Sequence, residues 1–108
     1  MSFEIISIPS YDRKARQLAK KYPSLKDELQ QLKSALTTNP KYGTPIGHDC
    51  YKIRLAIASK GKGKSGGARV ITHVYVAHNK VYLLSIYDKS ELEDLSDKDL
   101  LNLINAIR

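Results

Sequence analysis

Between Cys50 and Lys80 the chain carries seven lysines and arginines and no acid. Within that stretch, Lys60-Gly61-Lys62-Gly63-Lys64-Ser65-Gly66-Gly67-Ala68-Arg69 sets three lysines and an arginine among glycines. Glycine accepts positive φ and close backbone approach, so such a segment can turn amide and ammonium groups toward an oxyanion. A solvated hairpin loop has the same composition, and the loop alone does not choose between the two.

The flanking strands say more. Cys50 to Ile57 alternates, with Tyr51, Ile53, Leu55 and Ile57 on one side and Cys50, Lys52, Arg54 and Ala56 on the other. A second strand is expected over 68–77 and a third over 81–87, joined through His78-Asn79-Lys80 in an antiparallel meander. Val70, Val74, Val76, Leu84 and Ile86 form the expected core row. Arg69, Ile71, His73, Tyr75, Leu83, Ser85 and Tyr87 form the opposite one.

One face therefore gathers Lys52, Arg54, Arg69, Ser85 and Tyr87, with Lys60, Lys62, Lys64 and Lys89 on adjoining loops. Arginine grips phosphate oxygens bidentately and can stabilise the added charge of a pentavalent phosphorus. Lysine and tyrosine exchange protons when neighbouring cations depress their pKa. RNA brings its own nucleophile, the 2′-hydroxyl, so such a face can cleave it without a catalytic carboxylate, cofactor or metal. Tyr87 offers a second use, stacking on a base. His73, on the Arg69 face, is the one histidine that joins the candidate RNA contacts.

Other chemistries fit less well. Gly63-Lys64-Ser65 resembles the end of a phosphate-binding P-loop, but Ala58 stands where the upstream glycine belongs and a strand follows where a helix is needed. His48, Asp49 and Cys50 cluster on a loop without a further convergent ligand, and His48 with Cys50 lacks an orienting group. His73 and His78, five apart on a strand, project to opposite faces.

These residues need a scaffold. With 108 residues, 1–108 is expected to be a single domain with one modest core. A net charge of +7 favours a polyanionic partner, or an acidic protein. Six acids between Asp88 and Asp99 against Lys89 and Lys98 confine the cationic surface to the middle of the chain. No apolar run approaches the ~18–20 residues that span a bilayer, so no membrane role is expected. One cysteine and an N-terminus without a basic n-region point to the cytoplasm.

Phe3 to Ile8 reads as a strand stopped by Pro9, and Ser10 as the cap of a helix striped by Tyr11, Ala15, Leu18, Ala19 and Tyr22. Ser24 with Asp27 suggests a capping box for a second helix, striped by Leu25, Leu29, Leu32 and Leu36 and ended by Pro40. Residues 41–49 read as a loop. Ser96, with Asp99 three positions on, caps a last helix that buries Leu100, Leu101, Ile104 and Ile107. The expected fold is α+β: a small curved antiparallel sheet packed on an N-terminal helical hairpin, with a C-terminal helix.

Lys62-Gly63-Lys64-Ser65-Gly66-Gly67-Ala68-Arg69-Val70-Ile71, followed by Tyr82-Leu83-Leu84-Ser85-Ile86-Tyr87-Asp88-Lys89-Ser90-Glu91 and Asp94-Leu95-Ser96, resembles the RelE/ParE superfamily of type II toxins, HigB-like branch. The resemblance covers nearly the whole chain. It implies an mRNA interferase acting at the ribosomal A site and neutralised by a cognate antitoxin with a helix-turn-helix domain. It also implies that Arg69 stabilises phosphate, that Lys62, Lys64, Tyr87 and Lys89 serve catalysis, and that Arg54 holds RNA. Thr72-His73 stands where the family often has an aromatic. The superfamily also contains gyrase poisons, so a basic module that occludes an acidic protein, or holds RNA without cutting it, is the alternative.

Overall fold

The leucine stripe organises the first layer. The computed structural model describes residues 2–61, 63–91 and 94–107. In it α1 (Pro9–Lys21) and α2 (Leu25–Thr38) form a helical hairpin, and Leu25, Leu29, Leu32 and Leu36 are all buried. Repeats at i, i+4, i+7 and i+11 put these side chains on one helix face, where removal from water is worth about 1.5–3 kcal/mol each.

The helix starts differ from the expected caps. α1 begins at Pro9, whose fixed φ suits the first turn, and Ser10 lies inside the helix with its Oγ donating to Leu84 O at 3.4 Å. Ser24 precedes α2 in a helical conformation and makes no capping bond. Its Oγ bonds Glu28 Oε1 at 3.1 Å and Ser59 Oγ at 2.9 Å. Glu28 Oε2 in turn accepts from Ala58 N at 2.8 Å, tying the first turn of α2 to the start of the basic loop.

The sheet consists of β1 (Glu4–Ser7), β2 (Thr44–Gly47), β3 (Cys50–Leu55), β4 (Ala68–Tyr75) and β5 (Lys80–Asp88), in the order β1-β5-β4-β3-β2. The last four strands pair antiparallel, while β1 adds a parallel edge beside β5. β2 falls within the segment read as a loop. His48 and Asp49, at φ 56° and 58°, make the two-residue turn that joins β2 to β3. Both central positions of such a hairpin turn need positive φ, which His and Asp tolerate better than most residues.

Leu84 is a bulge on β5. Ile71 pairs with Ser85 and Thr72 with Leu83, so β5 reverses its facing there. Tyr82, not Leu83, consequently lies opposite His73, and Leu83 and Leu84 are both fully buried. Val76, expected in the core, is 56% exposed, because β4 ends at Tyr75 and Val76–His78 forms a 3-10 turn.

Seven consecutive residues of β4, Ala68 to Val74, have at most 4% exposure and so need cover on both faces. The helical hairpin covers one face. The C-terminal segment returns over the other, with Asp94 Oδ1 3.5 Å from Lys52 Nζ and Asp97 Oδ1 3.7 Å from His48 Nε2. It leads into α3 (Asp97–Asn105), whose Leu100 and Ile104 are buried and whose cap, Ser96, accepts from Asp99 N as expected. Leu101, expected on the buried face, is 38% exposed.

Candidate functional site

Three neighbouring strands place three candidate side chains in one row. Arg54 of β3 lies opposite Arg69 of β4, and Arg69 lies opposite Tyr87 of β5. Directly opposed residues share a face with Cβ atoms about 4.5–5.5 Å apart. Like charges so placed repel, and a shared anion relieves the repulsion. Among the described residues no carboxylate lies within 4.0 Å of Arg54 or Arg69.

Arg69 is only 4% exposed, and backbone carbonyls orient it. Nη1 donates to Lys64 O at 2.8 Å and to Ala68 O at 3.1 Å. The basic loop thus holds its own arginine and directs the remaining donors elsewhere. Gly67 permits this close return: a Cβ there would meet Leu55 O at 2.0 Å. Arg54, in contrast, is exposed, as is Lys64.

Tyr87 is 4% exposed, and its Oη makes no hydrogen bond among the described residues. Burial raises its pKa above the usual phenol value, Asp94 raises it further, and Arg69 opposes both. Depression by neighbouring cations, expected from the sequence, is overturned because the phenol is desolvated and beside a carboxylate. The phenol of Tyr87 therefore stays protonated at neutral pH. Its burial also removes it as a base-stacking platform.

The lysines divide. Lys60, expected to contact RNA, turns inward: its side chain is 9% exposed and its Nζ pairs with Asp88, while also lying 5.6 Å from the centroid of the Tyr22 ring. Asp88 is fully buried and accepts as well from Tyr22 Oη at 2.8 Å, Ser90 N at 2.9 Å and Ser90 Oγ at 2.8 Å. Burial pushes its carboxyl upward, but bonds from Lys60, Ser90 and Tyr22 outweigh that and hold it well below the usual carboxylate range. Lys60 thus leaves the binding set because its charge is spent inside the chain. Lys52 stands beside Arg54 on the row's face, paired with Asp94. Lys89 is half-buried, and its backbone N donates to Gly67 O at 3.0 Å. Lys62 lies outside the described residues.

His73 shares the Arg69 face but sits four residues along β4, roughly 13 Å away. It is 2% exposed, with Nδ1 3.5 Å from Cys50 Sγ and its ring 6.5 Å from that of Tyr82. The expected RNA contact is corrected, because this end of the face is covered. Burial, then Asp49, pushes the Cys50 thiol up to about 12, so it is no nucleophile at neutral pH. Among the described residues no three histidine, cysteine or carboxylate side chains converge as a metal site, and no helix is long and apolar enough to cross a membrane.

Asp88, Tyr22 and Asp94 escaped the reading of the sequence. The acid-rich run after Tyr87 was the available signal, since a buried lysine in the preceding basic loop needs a carboxylate partner.

No family's sequence model matches this chain. Solved structures do resemble it. A mutant of the Escherichia coli toxin RelE in the free state superposes with a TM-score of 0.66 at 16% identity, covering 100% of both chains. The isolated E. coli RelE toxin gives 0.62 at 16% identity, covering 99% of this chain and 100% of that one. A chain of the intact E. coli RelBE toxin–antitoxin complex gives 0.60 at 17%, covering 81% of this chain and 96% of that one. The chain therefore has the RelE fold, with its α+β architecture of helical hairpin, curved sheet and C-terminal helix.

Proposed function

We propose that this chain is the toxin of a type II toxin–antitoxin pair and acts as a ribosome-dependent endoribonuclease on mRNA in the cytoplasm. The observation that carries the reading is the Arg54–Arg69–Tyr87 row across β3, β4 and β5. The likeness to RelE in fold and the sequence resemblance to the HigB-like branch support it.

The scissile phosphate lies against the two guanidiniums. Arg69, fixed by two carbonyl bonds, offers its remaining donors to the non-bridging oxygens, and the exposed Arg54 closes from the sheet edge. The 2′-hydroxyl attacks phosphorus, forming a new P–O bond as the bond to the 5′-oxygen breaks. Tyr87, protonated at neutral pH, gives its proton to that departing oxygen. The proton of the 2′-hydroxyl passes to the neutral form of one loop amine, Lys62, Lys64 or Lys89. Both arginines meet more charge in the phosphorane than in the substrate, which is what lowers the barrier. No metal is required in this scheme. Lys52, on β3, and the basic-loop lysines that do not take the proton hold RNA or ribosomal RNA.

A cognate antitoxin, as in the RelBE complex, would neutralise the toxin; a helix-turn-helix domain on it follows from the resemblance alone. The second reading is a non-cleaving basic toxin that occludes gyrase or RNA, favoured by the burial of Tyr87 next to Asp94. Expression of Arg69→Ala and Tyr87→Phe variants tests the first reading. Loss of toxicity and mRNA cleavage in both supports it. Unchanged cleavage in both contradicts it, and DNA breaks with intact mRNA select the second.

A further inference from the structure

β2 covers only the first half of β3. Its last partner along β3 is Lys52, opposite Thr44, so on the side away from β4 the edge from Ile53 to Leu55 has no strand among the described residues. A cavity of about 360 Å³ opens there between β3 and α2. Its floor is apolar, formed by Leu32, Ile53 and Leu55, and its rim carries Tyr42, Arg54 and Lys64. Arg54 belongs to the guanidinium row, and Lys64 supplies the carbonyl that orients Arg69. The cavity floor lies on the helix side of β3 and the row on the other, and the two meet around the open strand edge, where Arg54 and Lys64 line both.

We propose that this cavity is a nucleobase subsite in which Tyr42 stacks on a base next to the phosphate held by Arg54 and Arg69. The proposal deepens the ribonuclease reading and rests on it for the identity of the ligand. An apolar floor with a cationic rim suits a flat aromatic ring attached to a phosphate. Tyr42 is 39% exposed, whereas Tyr87 is buried. Tyr75, the other well-exposed tyrosine, lies six residues along β4 from Arg69 and packs edge-on against His78 at 4.5 Å. Tyr42 is therefore the exposed ring beside the cations.

Its placement is built in. Gly43, at φ +108°, lies so close to β3 that a Cβ would meet Lys52 O at 2.7 Å and Ile53 Cγ1 at 2.9 Å. The segment bearing Tyr42 consequently rests on the β3 backbone at the cavity's edge. Glu28 also lines the cavity, but its two oxygens already accept from Ala58 N and Ser24 Oγ. The repulsion it exerts on a phosphate is offset by the two rim cations.

The test uses the full chain and an RNA hexamer methylated at every 2′-oxygen, which cannot be cut, together with the same hexamer carrying abasic sites. Tyr42→Ala is expected to weaken binding of the intact hexamer about tenfold, within the range for base–aromatic stacking, and Tyr42→Phe by less than about twofold. Binding of the abasic hexamer should not change in either variant. Upfield shifts of the Tyr42 ring protons on adding the intact hexamer are the second expected signature. Equal affinity of wild type and Tyr42→Ala for the intact hexamer, or equal loss on both hexamers, overturns the proposal. Because the readout is binding of an uncleavable RNA, failure of cleavage and failure of stacking are told apart.

Discussion

Lys60 and Asp88, 28 positions apart, form an ion pair buried at the root of the basic loop. The pair joins the start of that loop to the residue following Tyr87, so both ends of the candidate site hang on one carboxylate. Tyr22 and Ser90 complete its shell, linking the end of α1 and the turn after β5. A buried pair of this kind contributes less by mutual attraction than its loss would cost, because either partner left alone is a desolvated charge.

Asp88→Asn should therefore destabilise the fold by about 3–5 kcal/mol in urea unfolding. The pH dependence has a definite sign. Asp88 has a folded pKa below its unfolded value of about 3.9, so its contribution is complete above that value and is lost as pH falls through the range below it. Unfolding midpoints should hold level from pH 6 to about pH 4 and fall below it for the wild type, and the Asp88→Asn curve should be flatter across that acid end.

Tyr87→Phe separates chemistry from stability. The phenol oxygen is buried and approaches only Asp94, too loosely to make a well-formed hydrogen bond, so its removal leaves little unpaired. The variant should unfold at the same urea concentration as wild type or a higher one. Its cleavage rate should nevertheless fall by roughly 10²–10⁴, the usual contribution of a general acid. Since burial and Asp94 raise the Tyr87 pKa, any loss of wild-type activity from phenol ionisation should set in at a higher pH than for an unperturbed tyrosine.

Asp94 bears on two site residues at once. It lies 3.5 Å from Lys52 Nζ and raises the Tyr87 pKa. Asp94→Asn should release Lys52 to RNA phosphate, tightening RNA binding and steepening its logarithmic salt dependence by about one unit. An unchanged slope would mean that Lys52 stays off the backbone. The pair itself is surface-exposed on the Asp94 side, so thermal stability should change by less than about 1 kcal/mol.

Much of the scaffold was legible because its signals are local. The α2 leucine stripe, the alternation of β3 and the Ser96 cap each depend on residues within a few positions of one another, and the structure keeps them. Register carried the row as well: alternation alone set Arg54, Arg69 and Tyr87 on one face. β2 was missed because its turn is His48-Asp49, without the glycine or asparagine that marks a tight hairpin. The parallel pairing of β1 with β5 joins segments more than seventy residues apart and leaves no local trace. His73 lies on the face that alternation predicts, yet its burial beside Cys50 and Tyr82 depends on tertiary packing. Lys60 has the look of a surface cation in the sequence for the same reason, since Asp88, the partner that withdraws it from solvent, ends the second strand after it.

Cleavage by Arg69 and its row through the 2′-hydroxyl leaves a chemical signature on the RNA ends. The most direct measurement is the end chemistry of mRNA recovered from purified ribosomes after incubation with wild-type protein and with Arg69→Ala. Internal cuts bearing 2′,3′-cyclic phosphate and 5′-hydroxyl ends are expected for wild type, with the rate reduced at least about 100-fold by Arg69→Ala. Intact mRNA with wild-type protein, or cuts that persist undiminished in Arg69→Ala, would contradict cleavage by this row.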